Sequence, residues 1–569
     1  MLFVESGVVF LALAGLGLMG GFAVAPFSGR YTLLAAPLAG IAVHAVGISL
    51  LYGILKLPYV TAALITATTA SVLTLLTLGV LRPRLPVLAA AIVGLPTVLL
   101  STAICANAAL SLGSAAITFM DGTDHAGYAH VADWLIAHRA TEHPVASINL
   151  PYQSWPELLF AIDLRFGTMA FLASVSLLRG SSGLFAYDTA CAIALSAAII
   201  AVACVLASRP TTLLLLVVGL FASHWFDYSR AGFLGKVLLY PSILMLAGLF
   251  VSGVPAEIGI LVFLVLAIGI ASLHSGIAAA LLLGVTAGSY LLCKALIKRQ
   301  WRELLPEAAV LASAGLVLIA TTGVIVRPPS LVVLYPDWNV SWPYILPRIF
   351  DLENQGVTAS KLSSPLMNLL LIGSIGLVVA LLFLATRQRN AVVIGFVAGP
   401  AILLAILVAG DARAIAFQLI GIFYPITLCA AARFIEDNHA GPQTIMRAAL
   451  AGTIVFIAMR VPRFVGAVDR YAISAPSAMR YTSAQVDRLS RVIGSAPVAV
   501  DVETPQAALV LLLELGRRNM AVQWSKRSWD FVFAYRRWAP PVYTEPPVYL
   551  INQVGAEPLT LTALPKSLH

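Results

Sequence analysis

The chain has 569 residues, of which 60% are hydrophobic and only 11% are charged. Soluble globular domains carry about 25% charged residues, so the composition excludes an ordinary soluble protein of this length. The net charge is +9. In so apolar a chain the basic residues orient membrane spans, and we do not predict binding to nucleic acid.

Apolar stretches recur along the chain, and most are long enough to cross a hydrocarbon core of about 30 Å as helices. They predict an all-α polytopic membrane protein with about fourteen transmembrane helices. Glu5 precedes the first stretch where a signal peptide would have basic residues, so we interpret it as a retained helix. The predicted spans are 7–27, 32–54, 59–81, 86–109, 183–207, 211–223, 237–253, 256–273, 275–293, 306–326, 365–386, 391–409, 414–432 and 447–460.

Lysine and arginine in the short connections predict the orientation of these spans, because such residues stay in the cytoplasm. With this assignment the main basic connections fall on one side, and both chain termini face outward. The Ala- and Leu-rich composition favours the inner, or plasma, membrane of a bacterium. The predicted transmembrane domain covers residues 1–465, and its two longest outward loops are 110–182 and 327–364.

The tail, 471–569, has the composition of a small soluble α/β domain on the outer side. Thr482-Ser-Ala-Gln485 is a capping-box pattern that opens a helix. Thr504 and Pro505 form an N-cap followed by proline at the first helical position. Short apolar stretches at 497–502, 519–524 and 548–552 are predicted strands. Strands that alternate with helices are typical of α/β architecture.

A short acidic segment, Phe119-Met-Asp-Gly-Thr-Asp-His-Ala-Gly-Tyr128, ends the apolar stretch before the first long outward loop. A carboxylate at a membrane boundary can reach water, take a proton or bind a cation, whereas one buried in lipid is costly. We predict Asp121 and Asp124 as catalytic residues, and both as ligands if a metal is used. Carboxylate oxygens favour Mg²⁺ or Mn²⁺ over zinc, and no other cofactor is indicated.

Other outward segments carry residues suited to the rest of a substrate. Arg230, Lys236 and Arg413 are candidates for binding a phosphate, because arginine pairs with phosphate oxygens through two parallel hydrogen bonds. The alternative for Arg413 is that it only caps a helix beside Asp411. Four residues are candidates for contact with other parts of a substrate, His125, Tyr128, His274 and Trp338.

The segment Asp121, Asp124, Tyr128, Ala132, Leu135 resembles the first outer loop of the polytopic C-type (GT-C) glycosyltransferases. The resemblance covers this loop and the general plan of many spans with an outward tail. It implies that a loop carboxylate acts as catalytic base, sometimes with a divalent cation, and that a sugar leaves a polyprenyl phosphate or diphosphate with inversion. The chain differs from that superfamily because its acidic loop follows the fourth predicted span, not the first.

We therefore expect a membrane glycosyltransferase of the cell envelope, whose acceptor is a glycan, lipid or protein on the outer (periplasmic) side. Its partners would be the lipid bilayer and the polyprenyl-linked donor. The alternatives are a transporter or flippase of lipid-linked saccharide, an O-antigen ligase or polymerase-like enzyme, and a non-catalytic scaffold or sensor. A transporter would place ionisable residues at mid-membrane in broken helices. The predicted spans instead have few charges at their centres.

Overall fold

In the computed structural model, the described residues are 32–81, 93–106, 110, 116–119, 124–145, 153, 156–157, 166–230, 234–252, 258–273, 276–299, 301–323, 341–353, 364–438, 442–471, 479–518, 520, 522–533, 545–554 and 559–564. Within them, seven helices are long and apolar enough to cross a membrane, and five further apolar helices are shorter. This supports a polytopic membrane protein, but the predicted count of about fourteen spans is not confirmed. The first predicted span lies outside the described residues.

The apolar part is built from helices and one short strand. In chain order they are α1 (Ala36–Ile48, continued by a π-helix, Ser49–Ile54), α2 (Tyr59–Leu81), α3 (Leu95–Cys105), β1 (Ala116–Phe119), α4 (Asp124–Ala137), α5 (Phe166–Arg179), α6 (Gly183–Leu206), α7 (Pro210–Phe221), α8 (His224–Arg230), α9 (Leu234–Val251), α10 (Ile258–Leu273), α11 (Gly276–Leu283, continued by a π-helix, Gly284–Gly288), α12 (Ser289–Lys298), α13 (Leu305–Gly323), α14 (Trp342–Ile349), α15 (Ser364–Arg387), α16 (Ala391–Ala409), α17 (Arg413–Gln418), α18 (Phe423–Asp437), α19 (Gln443–Ala458) and α20 (Val461–Tyr471).

Helix α6 is the centre of the bundle, since every one of its residues is buried. Its alanine-rich sequence lets neighbouring helices approach closely, as small residues do in membrane bundles. It packs against α1, α3, α5, α7 and α9 along its length and against α4 and α8 as well. A helix that is apolar on all sides is expected at such a position.

Three segments differ from the predicted spans. Helix α5 lies inside the predicted loop 110–182, yet it is buried against α1 and α6. It is only 14 residues long, too short for the span pattern used above. The predicted span 414–432 is divided into α17 and α18, with Gly421 at a φ of +88° between them. The predicted span 447–460 extends as an apolar helical segment from Gln443 to Val468.

The tail forms the predicted small α/β unit. Its elements are β2 (Met479–Thr482), α21 (Ser483–Ile493), β3 (Val498–Val502), α22 (Pro505–Arg517), β4 (Val522–Trp524), α23 (Lys526–Phe533), β5 (Tyr549–Gln553) and β6 (Thr560–Ala563). The sheet order is β4-β3-β5-β6, with β3 parallel to β4 and β5, and β6 antiparallel to β5. The predicted capping box is confirmed, because the Thr482 side chain accepts from the Gln485 amide while Gln485 accepts from Thr482.

Segments predicted to face outward meet at one end of the bundle. Strand β1 pairs antiparallel with β2, and the Ser182 hydroxyl at the start of α6 donates to Glu514 of α22 at 2.6 Å. The Trp342 indole donates to Asp411 at 2.8 Å. The first long predicted loop is therefore a neighbour of the tail, and the loop that contains Trp342 is a neighbour of the turn at Asp411, as expected if each pair leaves the same side of the membrane.

Candidate functional site

The acidic segment continues directly into helix α4. This helix is largely buried against α5 and α6. His125 is 1% exposed, and its ring centroid lies 5.3 Å from that of Tyr187 in α6. Tyr128 is half-buried on the same helix. The two substrate-contact candidates of this segment thus belong to the wall of the bundle.

Several predicted site residues cannot be compared with the structure. Asp121, His274 and Trp338 lie outside the described residues. Asp124 is the first residue of α4 and Arg230 the last of α8, but their side chains are not described. The roles assigned to these five residues stay predictions.

The two other phosphate candidates have defined surroundings. Lys236, at the start of α9, is 5% exposed, and its Nζ lies 5.1 Å from the ring centroid of Tyr228. Arg413 forms a bidentate pair with Asp411, with nitrogen–oxygen distances of 2.7 and 2.9 Å. To bind a phosphate, Arg413 must exchange this carboxylate for the ligand. The exposed Asp411 accepts hydrogen bonds from Arg413 and from Trp342, and these bonds lower its pKa, with the larger effect from Arg413.

A buried charged cluster joins α8, the end of α14 and α20. His224, the first residue of α8, is fully buried. Its Nδ1 lies 2.8 Å from Asp227 Oδ2, and its backbone amide donates to Asp351 at 2.8 Å. Arg463 donates to Asp227 and to the carbonyl of Ala222. Arg463 of α20 thereby holds the short helix α8 in place.

Two further arginines complete the cluster. Arg460 is fully buried, donates to the carbonyl of Phe350 at 3.1 Å, and lies over the Tyr424 ring at 4.5 Å. Arg348 is 1% exposed and pairs with Glu353 at 2.6 Å. Burial raises the pKa of Asp351, an effect that the positive groups around it oppose.

Both ring nitrogens of His224 face oxygen atoms. Its Nε2 lies 2.9 Å from the carbonyl oxygen of Arg348, and its Nδ1 faces the carboxylate of Asp227. A carbonyl and a carboxylate can only accept, so the ring lies between two hydrogen-bond acceptors. Among the described residues, the cluster comprises His224, the three arginines Arg348, Arg460 and Arg463, and the three carboxylates of Asp227, Asp351 and Glu353.

Arg460 donates to neutral groups, the carbonyls of Phe350 and Phe456 and the hydroxyl of Ser374, so among the described residues its guanidinium has no carboxylate at ion-pair distance. Ionisable groups in a membrane bundle are costly and usually have a function. Neither Arg460 nor Arg463 was among the predicted site residues, and the predicted span 447–460 ends at the first of them. The sequence did contain a signal for this cluster, because two arginines lie three residues apart in a long apolar stretch. Arginines in such a position need polar partners inside the bundle.

Among the described residues, no three His, Cys, Asp or Glu side chains are grouped so as to hold a metal ion. The Mg²⁺ or Mn²⁺ site at Asp121 and Asp124 stays a prediction. No protein-family model matches the chain, and no curated protein matches it either.

Proposed function

We propose that the chain is a membrane glycosyltransferase that moves a sugar from a polyprenyl-phosphate-type donor to an acceptor at the outer face. The observation that supports this most directly is the buried charged cluster. It holds α8, the helix that ends at Arg230, and it contains the guanidinium of Arg460, which is hydrogen-bonded to neutral groups. The leaving group of the proposed reaction is a lipid phosphate, and positively charged groups positioned beside such an anion stabilise it.

The proposed reaction needs one base. Asp121 takes the proton of the acceptor hydroxyl while the oxygen attacks the anomeric carbon. The bond from that carbon to the donor phosphate breaks on the opposite face, so the configuration inverts, and the phosphate leaves with the bonding electron pair. Arg230, Lys236 and Arg413 are the candidates that bind this phosphate. Asp124 orients Asp121 or, if a cation takes part, shares it.

Replacement of Asp121 by Asn tests the proposal. In purified protein, transfer from synthetic polyprenyl-phosphate sugars should be abolished, while the yield and thermal unfolding of the protein stay unchanged. Asp437→Asn is the matched control, because Asp437 ends α18 beside Arg433 and far from the acidic segment in the chain. Full turnover in Asp121→Asn would exclude Asp121 as the base. Mass spectrometry of the lipid-linked glycan that accumulates in a deletion strain would identify the sugar.

One observation favours a second candidate, a transporter or flippase of lipid-linked saccharide. Arg460 and Arg463 are buried inside the apolar segment Gln443–Val468, at the junction between α19 and α20. Transporters often place ionisable residues at such interrupted helices. Proteoliposomes with a fluorescent lipid-linked saccharide separate the two functions. Movement of the lipid between leaflets without sugar transfer would favour the transporter.

A further inference from the structure

A cleft of about 590 Å³ lies where the tail meets the bundle. Helix α4 forms one wall, the turn between α5 and α6 a second, and the end of α22 a third. Its volume is within the range of about 300 to 1,000 Å³ that is typical of small-molecule sites. Because α22 belongs to the tail, the cleft exists only where the tail packs on the bundle.

Two buried polar groups of this cleft have no hydrogen-bond partner among the described residues. Trp134 is 3% exposed, and its indole Nε1 is buried and unpaired. Ser181, in the turn before α6, has a buried hydroxyl that is also unpaired. Both residues line the cleft. Buried donors are almost always satisfied by protein, water or ligand, so these two groups indicate a polar occupant.

The rest of the lining gives the chemical class of that occupant. Asp133 and Arg517 contribute one carboxyl group and one guanidinium group, so the lining offers both hydrogen-bond acceptors and donors. Arg517 also contacts Glu514 at 3.3 Å. The His138 ring stacks on Trp134, with ring centroids 3.6 Å apart and planes at 14°, and presents a flat surface. Donors, acceptors and a flat ring together suit a polyhydroxylated ring with polar edges and apolar faces.

We infer that this cleft binds an uncharged saccharide. In the proposed glycosyltransferase, on which this part of the inference rests, that saccharide is the acceptor. Asp133 is suited to hold a sugar hydroxyl, because its Oδ1 already accepts from the Gly183 amide at 2.8 Å and is thereby fixed in position. Trp134 and Ser181 supply the donors.

Binding of free disaccharides to the purified full-length chain in nanodiscs tests the inference. The probes are disaccharides of glucose, galactose, mannose and arabinose, with glucose 6-phosphate as a charged comparison, and the readout is saturation-transfer NMR. We expect saturable binding of at least one disaccharide. Trp134→Phe keeps the stack but removes the N–H, and should weaken binding about tenfold, as expected for one hydrogen bond. Ser181→Ala should weaken it several-fold.

Trp301→Phe is the control, since Trp301 is 54% exposed and does not line the cleft. The inference is overturned if no disaccharide binds, if only glucose 6-phosphate binds, or if both cleft variants bind as tightly as the wild type. The assay contains no lipid donor, so it is independent of turnover. If saccharides bind but no donor supports transfer, the proposed function is rejected and the saccharide site is retained. If transfer occurs but no saccharide binds in the cleft, the saccharide site is rejected and the proposed function is retained.

Discussion

Replacement of Arg463 by methionine tests the buried charged cluster. Methionine keeps much of the apolar stem of arginine but removes the guanidinium group. The Asp227 carboxylate then loses its arginine partner, and the carbonyl of Ala222 loses a donor. Both acceptors are in the interior of the bundle, where water cannot replace the lost contacts.

The expected cost follows from these contacts. Removal of one partner of a buried ion pair costs about 3 to 5 kcal/mol, because the other charge is left uncompensated. The lost hydrogen bond to Ala222 adds about 1 kcal/mol. Arg463→Met should therefore lower the free energy of unfolding by about 4 to 6 kcal/mol. In the double variant Arg463→Met/Asp227→Asn, a neutral amide replaces the Asp227 carboxylate, so no charge is left uncompensated at this position. The amide oxygen can still accept a hydrogen bond from His224.

Unfolding in mild detergent, followed by titration with a denaturing detergent, measures these differences. We expect the double variant to be more stable than Arg463→Met alone by about 2 kcal/mol or more. Asp437→Asn, at an exposed ion pair, should change stability by less than about 1 kcal/mol. The reasoning would be refuted if the double variant were as unstable as the sum of the two single variants, or if Arg463→Met had no measurable cost.

Two further predictions concern stability. Burial raises the pKa of Asp133 from 3.8 to about 7, so the folded chain binds its proton more tightly than the unfolded chain, and stability should fall as pH rises from about 4 to about 7. Asp133→Asn should remove this fall in stability, which amounts to at most about 4 kcal/mol. If the unfolding temperature of Asp133→Asn depended on pH as that of the wild type does, the prediction would be contradicted. A Cβ at Gly399 in α16 would lie 1.9 Å from the Val285 carbonyl, so Gly399→Ala should cost about 1 to 3 kcal/mol. At Gly376 in α15, nothing lies within 4 Å of an added Cβ. Gly376→Ala should therefore be neutral or stabilising by up to about 1 kcal/mol. Equal unfolding temperatures of the Gly399→Ala and Gly376→Ala variants would contradict the expected difference in packing.

Local patterns predicted much of the secondary structure. The apolar stretch 183–207 became α6, and the capping residues Thr482 and Thr504 open α21 and α22 as expected. These signals are local, because a helix end depends on residues within one turn of it. Short or interrupted helices were predicted less well. Helix α5 is too short for the span pattern, and α17 and α18 were predicted as one helix.

Sequence alone determined the membrane class of the chain, the change to α/β composition in the tail, and the acidic segment as the first place to look for chemistry. Tertiary structure decided which polar groups face each other. Arg463 pairs with Asp227 across 236 positions of the chain, and Trp134 shares a cleft with Arg517 of the tail. Such partners are joined by helix packing, not by spacing along the chain. A single sequence shows the charge of each residue but does not show which opposite charge will compensate it in the folded bundle.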